Sequence, residues 1–377
     1  MRSCGKIWCT IAWGVLFLGG FTASAQFDYT VTNGTASITG YHGSGGAVTI
    51  PASIGGVPVT RIGNAAFQNQ TNIVTVSIPN GVTGIGAQAF AGCSWLLGVT
   101  LPANLPAIAD ETFWQCYQMT DIQIPNSVTN IGASAFYSCA SLHNLVIPDS
   151  VRVISDNAFQ RCWRLQTITM GSGTTNIGDY AFSSCSNLVT IRFGQRVATI
   201  GNRAFAGCNA LMSVVLPRSL VNLGTYAFAS CPRLREVYFT GNAPAMDQPF
   251  AGSYLVRAYY LPGAAGFSEA DVNAPIVLWD ARVTAIRAST QGAAKQFALE
   301  LAGSSNLAVV VEASTNLINP VWVPIGTNTL LGLDPGRIRE IPALLDQRVE
   351  REPIPFWDGH AGTRAADVIQ TFLAGDG

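Results

Sequence analysis

The chain has 377 residues, 48% of them hydrophobic and only 11% charged, with 21 basic against 22 acidic side chains. A net charge of −1 with no Lys/Arg-rich run excludes the clustered cations that nucleic-acid binding needs. Gly (38) and Pro (19) are too few for a disordered chain and lack a collagen period, which leaves several ordinary domains or one elongated one.

The first 25 residues read as an export signal. Arg2 and Lys6 precede an apolar stretch from Ile7 to Phe21, and the small-residue site Ala23-Ser24-Ala25 follows. That order matches a secretory signal peptide cleaved before Gln26. The competing reading is an uncleaved anchor, but the stretch is shorter than the ~20 residues a bilayer span requires. No later segment reaches spanning length without polar residues, so no membrane span is expected after cleavage. The expected location is secreted or cell surface/periplasmic.

From residue 62 to about 252 the chain repeats. Phe67, Phe90, Phe113, Phe136, Phe159, Phe182, Phe205 and Phe228 recur every 23 residues. Cys93, Cys116, Cys139, Cys162, Cys185, Cys208 and Cys231 follow three residues after seven of them, with Gln70 in the first copy. Five residues before each Phe stands Ile or Leu, from Ile62 to Leu223; three after the Cys column stands Ile, Leu or Met, from Ile73 to Leu234. A fixed period of this length with one short strand per unit marks a leucine-rich solenoid.

One unit shows the physics. In the stretch from Leu142 to Cys162, Leu145 and Ile147 alternate as strand residues do and point to one face. Pro148 removes a backbone donor and ends the strand. Val151, Ile154, Ala158 and Phe159 turn the chain back through irregular or short helical steps. One unit cannot bury this face alone, whereas stacked neighbours turn the columns into continuous apolar ladders. The fold class is therefore an α/β-type leucine-rich-repeat solenoid with a parallel sheet, followed by a small β-module.

The stretch "IPNSVTNIGASAFYSCASLHNLVIP" resembles the BspA-like leucine-rich repeats of bacterial secreted and surface proteins. The entry segment, "FDYTVTNGTASITGY" and "VTIPASIGGVPVTRIG", is similar to that family's N-terminal cap with its first coil, here 26–61. The resemblance covers residues 27 to about 250. It implies a right-handed solenoid with a binding or adhesion role and carries over no catalytic residue.

The seven repeat cysteines are odd in number and follow the repeat, and stacked coils would hold their side-chain vectors parallel instead of facing. They read as a reduced packing ladder, disulfides and metal binding being the competing readings. On this reading Cys162→Ser buries a hydroxyl in an apolar ladder and costs about 1–3 kcal/mol.

Phe250 comes one residue early and no Cys follows it, so the regular solenoid is expected to end there. Residues 253–330 read as a C-terminal β-module. A strand over 255–262 is stopped by Pro262, two strands are joined by Gly303-Ser304-Ser305-Asn306, and a further extended piece runs near Trp322. "YYLPGAAGF" and "VVVEASTNLINPVWVPIGTNTL" are similar to a C-terminal module that follows such repeats in some secreted bacterial proteins. The tail, 331–377, is unassigned and expected to be disordered or poorly packed.

No catalytic, cofactor or metal residue is expected. The three histidines (His42, His143, His360) lack a suggestive Ser or Cys partner, and the acidic residues are scattered. What remains is surface. Outward strand positions include Thr100, Gln123, Thr169, Arg192 and Tyr238, with His143 in the next column. Trp95, Trp114, Tyr117, Tyr137 and Trp163 stand beside the Phe and Cys columns, where other copies carry small or polar residues. Two readings stay open: the five shield coil edges by stacking on one another, or they form one flank patch for sugar rings or an apolar partner. The expected function is an exported, non-enzymatic interaction protein binding a protein or polysaccharide partner. The alternative is a structural spacer or self-assembling envelope protein.

Overall fold

The computed structural model describes residues 26–279 in full and, beyond them, the strand backbones of 282–291, 294–302, 310–313 and 323–327. The expected signal (1–25) and tail (331–377) lie outside the described residues. The chain enters as an antiparallel hairpin, Phe27–Thr32 against Thr35–Tyr41. Its two-residue turn places Asn33 (φ 51°) and Gly34 (φ 73°) in the left-handed region, the geometry that closes a hairpin without splaying its strands. The second strand then pairs in parallel with Val57–Ile62, which converts hairpin into solenoid. Phe27 and Tyr41 lie over Phe67 at 6.2 and 5.3 Å, closing the N-terminal end of the aromatic column.

About ten turns follow. Most contribute a two-residue strand that ends on the Ile/Leu column and, after the turn carrying Phe, a longer strand of three to five residues. Asn130–Ile131 pairs with Val153–Ile154, and Leu145 with Ile168, so the register of the ladders is the repeat period itself. The long strands form three sheets, interrupted where residues 121–124 carry no strand and again between Thr190–Arg192 and Ser213–Leu216. Phe67 to Phe228 are fully buried, with successive ring centroids 4.9–5.6 Å apart and planes within 19°. That interval tracks the strand spacing, so stacking and backbone pairing reinforce each other. Each buried Phe contributes about 1.5–3 kcal/mol.

The returns are irregular. The one helix among the described residues is a single turn, Glu269–Val272, with Ser268 as N-cap. Two non-helical positions per coil are left-handed, two residues before and two after the Phe. In the Phe159 coil they are Asn157 (φ 57°) and Arg161 (φ 62°); in the next they are Tyr180 (φ 57°) and Ser184 (φ 62°).

The solenoid runs past the boundary that the repeat spacing places at 252/253. Phe250 is buried and stacks on Phe228 at 6.1 Å. Ala245–Met246 extends the short-strand ladder, and Arg257–Tyr260 and Ile276–Leu278 extend the parallel long-strand sheet. Two losses of one residue, before Phe250 and between Val256 and Arg257, hide this register in the sequence. Both fall in turns, where no ladder pair is broken.

Beyond the solenoid, Ala294–Ala302 is a strand, as expected, but its partner is the preceding Arg282–Gln291. Val310–Ala313 pairs with Val323–Thr327. Among the described residues these two strands thus pair with other partners, and the joining residues 303–306 lie outside the described residues.

Candidate binding surface

The repeat cysteines are core and more than apolar filler. All seven are buried and free. Each Sγ donates to the carbonyl of the Phe one coil back: Cys93 to Phe67 at 3.0 Å, Cys162 to Phe136 at 3.3 Å, Cys231 to Phe205 at 3.4 Å. Gln70 starts the ladder by donating Nε2–H to Tyr41 O (3.1 Å), and Ser253 ends it by donating Oγ–H to Phe228 O (2.8 Å). Burial pushes the Cys93 and Cys185 thiols up to about 12, and it raises Cys116, Cys139 and Cys162 well above the ordinary range. These thiols are held protonated and poor as nucleophiles.

A second ladder runs through Asp and Asn side chains three residues before Phe. Asp110 Oδ1 accepts from Ala133 N–H (2.7 Å), Asp179 Oδ1 from Asn202 N–H (2.7 Å), and Asn202 Oδ1 from Thr225 N–H (2.9 Å). An open depression of about 480 Å³ lies over this ladder, lined by Asp179, Asn202, Asn222, Thr225 and Asp247. Both Asp179 carboxylate oxygens and the Asn202 amide oxygen are engaged in the ladder. Among the described residues no three His, Cys, Asp or Glu side chains gather as a metal site. His42 pairs with Asp28 (2.6 Å) on the exposed cap hairpin, His143 is half-buried beside its strand, and His360 lies outside the described residues.

The five aromatics singled out by the sequence divide into two groups, and no ring contact joins them. Trp114 and Tyr137 are half-buried and stacked, centroids 6.2 Å apart and planes 15° apart. The Arg161 guanidinium covers Tyr137 at 5.7 Å. Farther along, Arg203 lies between Tyr180 (6.0 Å) and Tyr226 (5.1 Å). Ring faces in these stacks are taken up by neighbouring coils. Tyr180, Arg203 and Tyr226 share one column at the repeat interval, a signal the sequence reading missed because it sought aromatics alone.

Trp95, Tyr117 and Trp163 differ. They are 65%, 37% and 46% exposed, and none has a ring partner. They sit four or five residues after Phe, at an edge formed by the turns that lead from the Phe column towards the long-strand side of the coil. Backbone bonds join this edge coil to coil: Gln118 N–H to Ser94 O, Ser141 N–H to Tyr117 O, Asn187 N–H to Trp163 O, all 3.1–3.2 Å. The edge continues beyond the expected end of the repeats, where Tyr254 is 94% exposed in the same row.

On the strand face Thr100, Gln123, Thr169 and Arg192 are exposed, interspersed with exposed Leu97, Val146, Val189 and Met212. Tyr238 is different: half-buried, it stacks on Tyr259 (5.0 Å), meets Trp279 (5.1 Å) and donates its hydroxyl to Glu236 Oε2 (3.1 Å). Burial, then the Glu236 charge, pushes its phenol well above the ordinary range.

A stack of coils at this period, with an apolar inward set and an exposed parallel-strand face, defines a leucine-rich-repeat protein. The family profile described as "BspA type Leucine rich repeat region" matches six copies, over residues 60–188 and 129–254, together more than half of the chain. The chain belongs to that family, a family of repeat scaffolds suited to protein interaction. Among solved structures it is similar to the leucine rich repeat protein of T. pallidum (36% identity over 50% of this chain and 90% of that one, TM-score 0.48). It is also similar to a leucine-rich repeat protein from Bacteroides ovatus (23%, covering 67% and 75%, TM-score 0.49). A third is titled a leucine rich cell surface protein, from Faecalibacterium prausnitzii (27%, covering 67% and 93%, TM-score 0.41). No curated protein matches the chain. Among the described residues no helix is long and apolar enough to cross a membrane.

Proposed function

We propose that this is an exported, non-enzymatic binding protein that engages a macromolecular partner through its repeat surface, on the edge row of Trp95, Tyr117 and Trp163 and the adjoining strand face. The observation that carries this reading is the contrast between the two aromatic groups. Trp114 and Tyr137 stack on each other, whereas Trp95 and Trp163 leave large apolar rings exposed to water with no ring partner. The edge beneath them is held by backbone bonds between the turns of successive coils, so binding there orders little and loses little entropy. Export is supported by the order of charge, apolar stretch and A-x-A site before Gln26.

The test is partner capture with exported protein on a matrix, challenged with separate protein and glycan extracts. The reading expects retention that Trp95→Ala with Trp163→Ala abolishes while the thermal midpoint holds. A spacer without a specific ligand would retain nothing above the background of an unrelated solenoid.

A further inference from the structure

We infer that the edge row of Trp95, Tyr117, Trp163 and Tyr254 binds an extended, uncharged polysaccharide laid along the solenoid axis. This rests on the proposed binding function and specifies its ligand class.

Three features point to such a chain. The first is free ring faces: these four side chains are exposed and have no ring partner among the described residues, so the C–H face of a pyranose can stack on them. The second is spacing. Trp95 and Tyr117 stand on adjacent coils and Trp163 two coils further, each coil advancing about 4.8 Å. A sugar residue advances an extended chain by a similar length, so rings on a straight row meet successive or alternate sugars in register. The third is the rest of the row. Asn72, Ser94, Gln118, Ser141, Ser186 and Asn187 supply amides and hydroxyls, which both donate and accept as sugar hydroxyls do.

Charge and shape decide against other occupants. The two positions that make the row, four and five residues after Phe from Thr71 to Leu255, contain no Asp or Glu. Their only charges are Arg164 and Arg233, three coils apart, too sparse to track an acidic polymer. A globular protein partner would call for a contiguous apolar centre. Here single rings are separated by amides in a line, which suits a repeating linear ligand.

The experiment is affinity electrophoresis of the exported full-length chain in native gels, each containing hydroxyethyl cellulose, xylan, mannan, laminarin or polygalacturonate. At least one of the four uncharged polymers should retard the protein, and Trp95→Ala or Trp163→Ala should weaken retardation roughly five- to tenfold. Tyr137→Ala should leave it unchanged, and circular dichroism should show the Trp variants folded. The inference is overturned if no uncharged polymer retards the protein, if only polygalacturonate does, or if the Trp variants migrate as the parent. The broader reading is tested separately: a captured protein partner released by Trp95→Ala with Trp163→Ala, with no retardation by any uncharged polymer, would keep the binding function and remove the polysaccharide.

Discussion

Cys162 Sγ donates a hydrogen bond to the carbonyl oxygen of Phe136, 3.3 Å away and one coil back. The same carbonyl accepts from Cys139 N–H at 3.1 Å, so both of its lone pairs are used within the core. The Cys column is therefore a donor ladder that ties each turn to the one before it.

The serine substitution is expected to be milder than a purely apolar ladder implies. Ser253 already occupies this position in the last turn and donates to Phe228 O at 2.8 Å. Cys162→Ser should thus cost no more than about 1 kcal/mol, below the 1–3 kcal/mol expected for a hydroxyl in a purely apolar ladder. Cys162→Ala, which loses the donor and leaves a cavity, should cost more, about 1–2 kcal/mol. Urea denaturation of the two variants decides it, and Ala outlasting Ser would return the column to packing alone.

The thiols also set a pH dependence. Unfolded thiols ionise near pH 8.5–9, whereas folded Cys93 and Cys185 hold their protons to about pH 12. The folded state binds more protons in that window, so stability is full below about pH 8.5 and falls as pH rises. Each such thiol contributes a slope of about 1.4 kcal/mol per pH unit. Denaturation midpoints between pH 8 and 10 should drop steeply, and Cys93→Ser with Cys185→Ser should flatten the decline. In native protein the repeat thiols should resist Ellman's reagent at pH 8, and in urea all seven should react. Three or more disulfides in unreduced protein would contradict the reduced ladder.

A left-handed position offers a stabilising change. Ser184 sits at φ 62°, in the column where Gly92 (φ 73°) and Gly207 (φ 74°) occur naturally. Ser184→Gly should raise stability by about 0.5–1 kcal/mol, because relief of backbone strain exceeds the entropy that glycine adds to the unfolded chain. Its buried neighbour Ser183, where no positive φ is needed, should lose stability on the same change. Chemical denaturation of both variants checks the pair.

Much of the fold was legible because the repeat is covalent arithmetic. Phe67 through Phe228, the Ile62 column and the Leu96 column all sit in the core at the places their 23-residue spacing puts them. What was not legible depends on contacts between coils. The Cys thiol reaches a carbonyl 26 residues earlier, which no single repeat displays. Arg203 and its tyrosines are unlike residues in one column, and they become related only when coils stack. Tyr254 fell beyond the expected boundary because the one-residue loss before Phe250 broke the count while the sheet continued. At the surface, Trp95 and Trp114 looked alike in sequence; only packing distinguishes a free ring from a stacked one.

Processing provides a direct check on export. Intact mass of protein recovered from the producing cell should correspond to a chain starting at Gln26. Retention of Met1 to Ala25 would contradict the signal reading.

The most direct test of the central claim compares two pairs of aromatic variants in the same capture assay and the same melt. Trp95→Ala with Trp163→Ala should abolish partner capture and leave the thermal midpoint within about 2 °C, since exposed rings contribute little to stability. Trp114→Ala with Tyr137→Ala should keep capture and lower the midpoint by several degrees, because a half-buried stacked pair is lost. Capture that survives the first pair and disappears with the second would place the binding surface elsewhere and contradict the account.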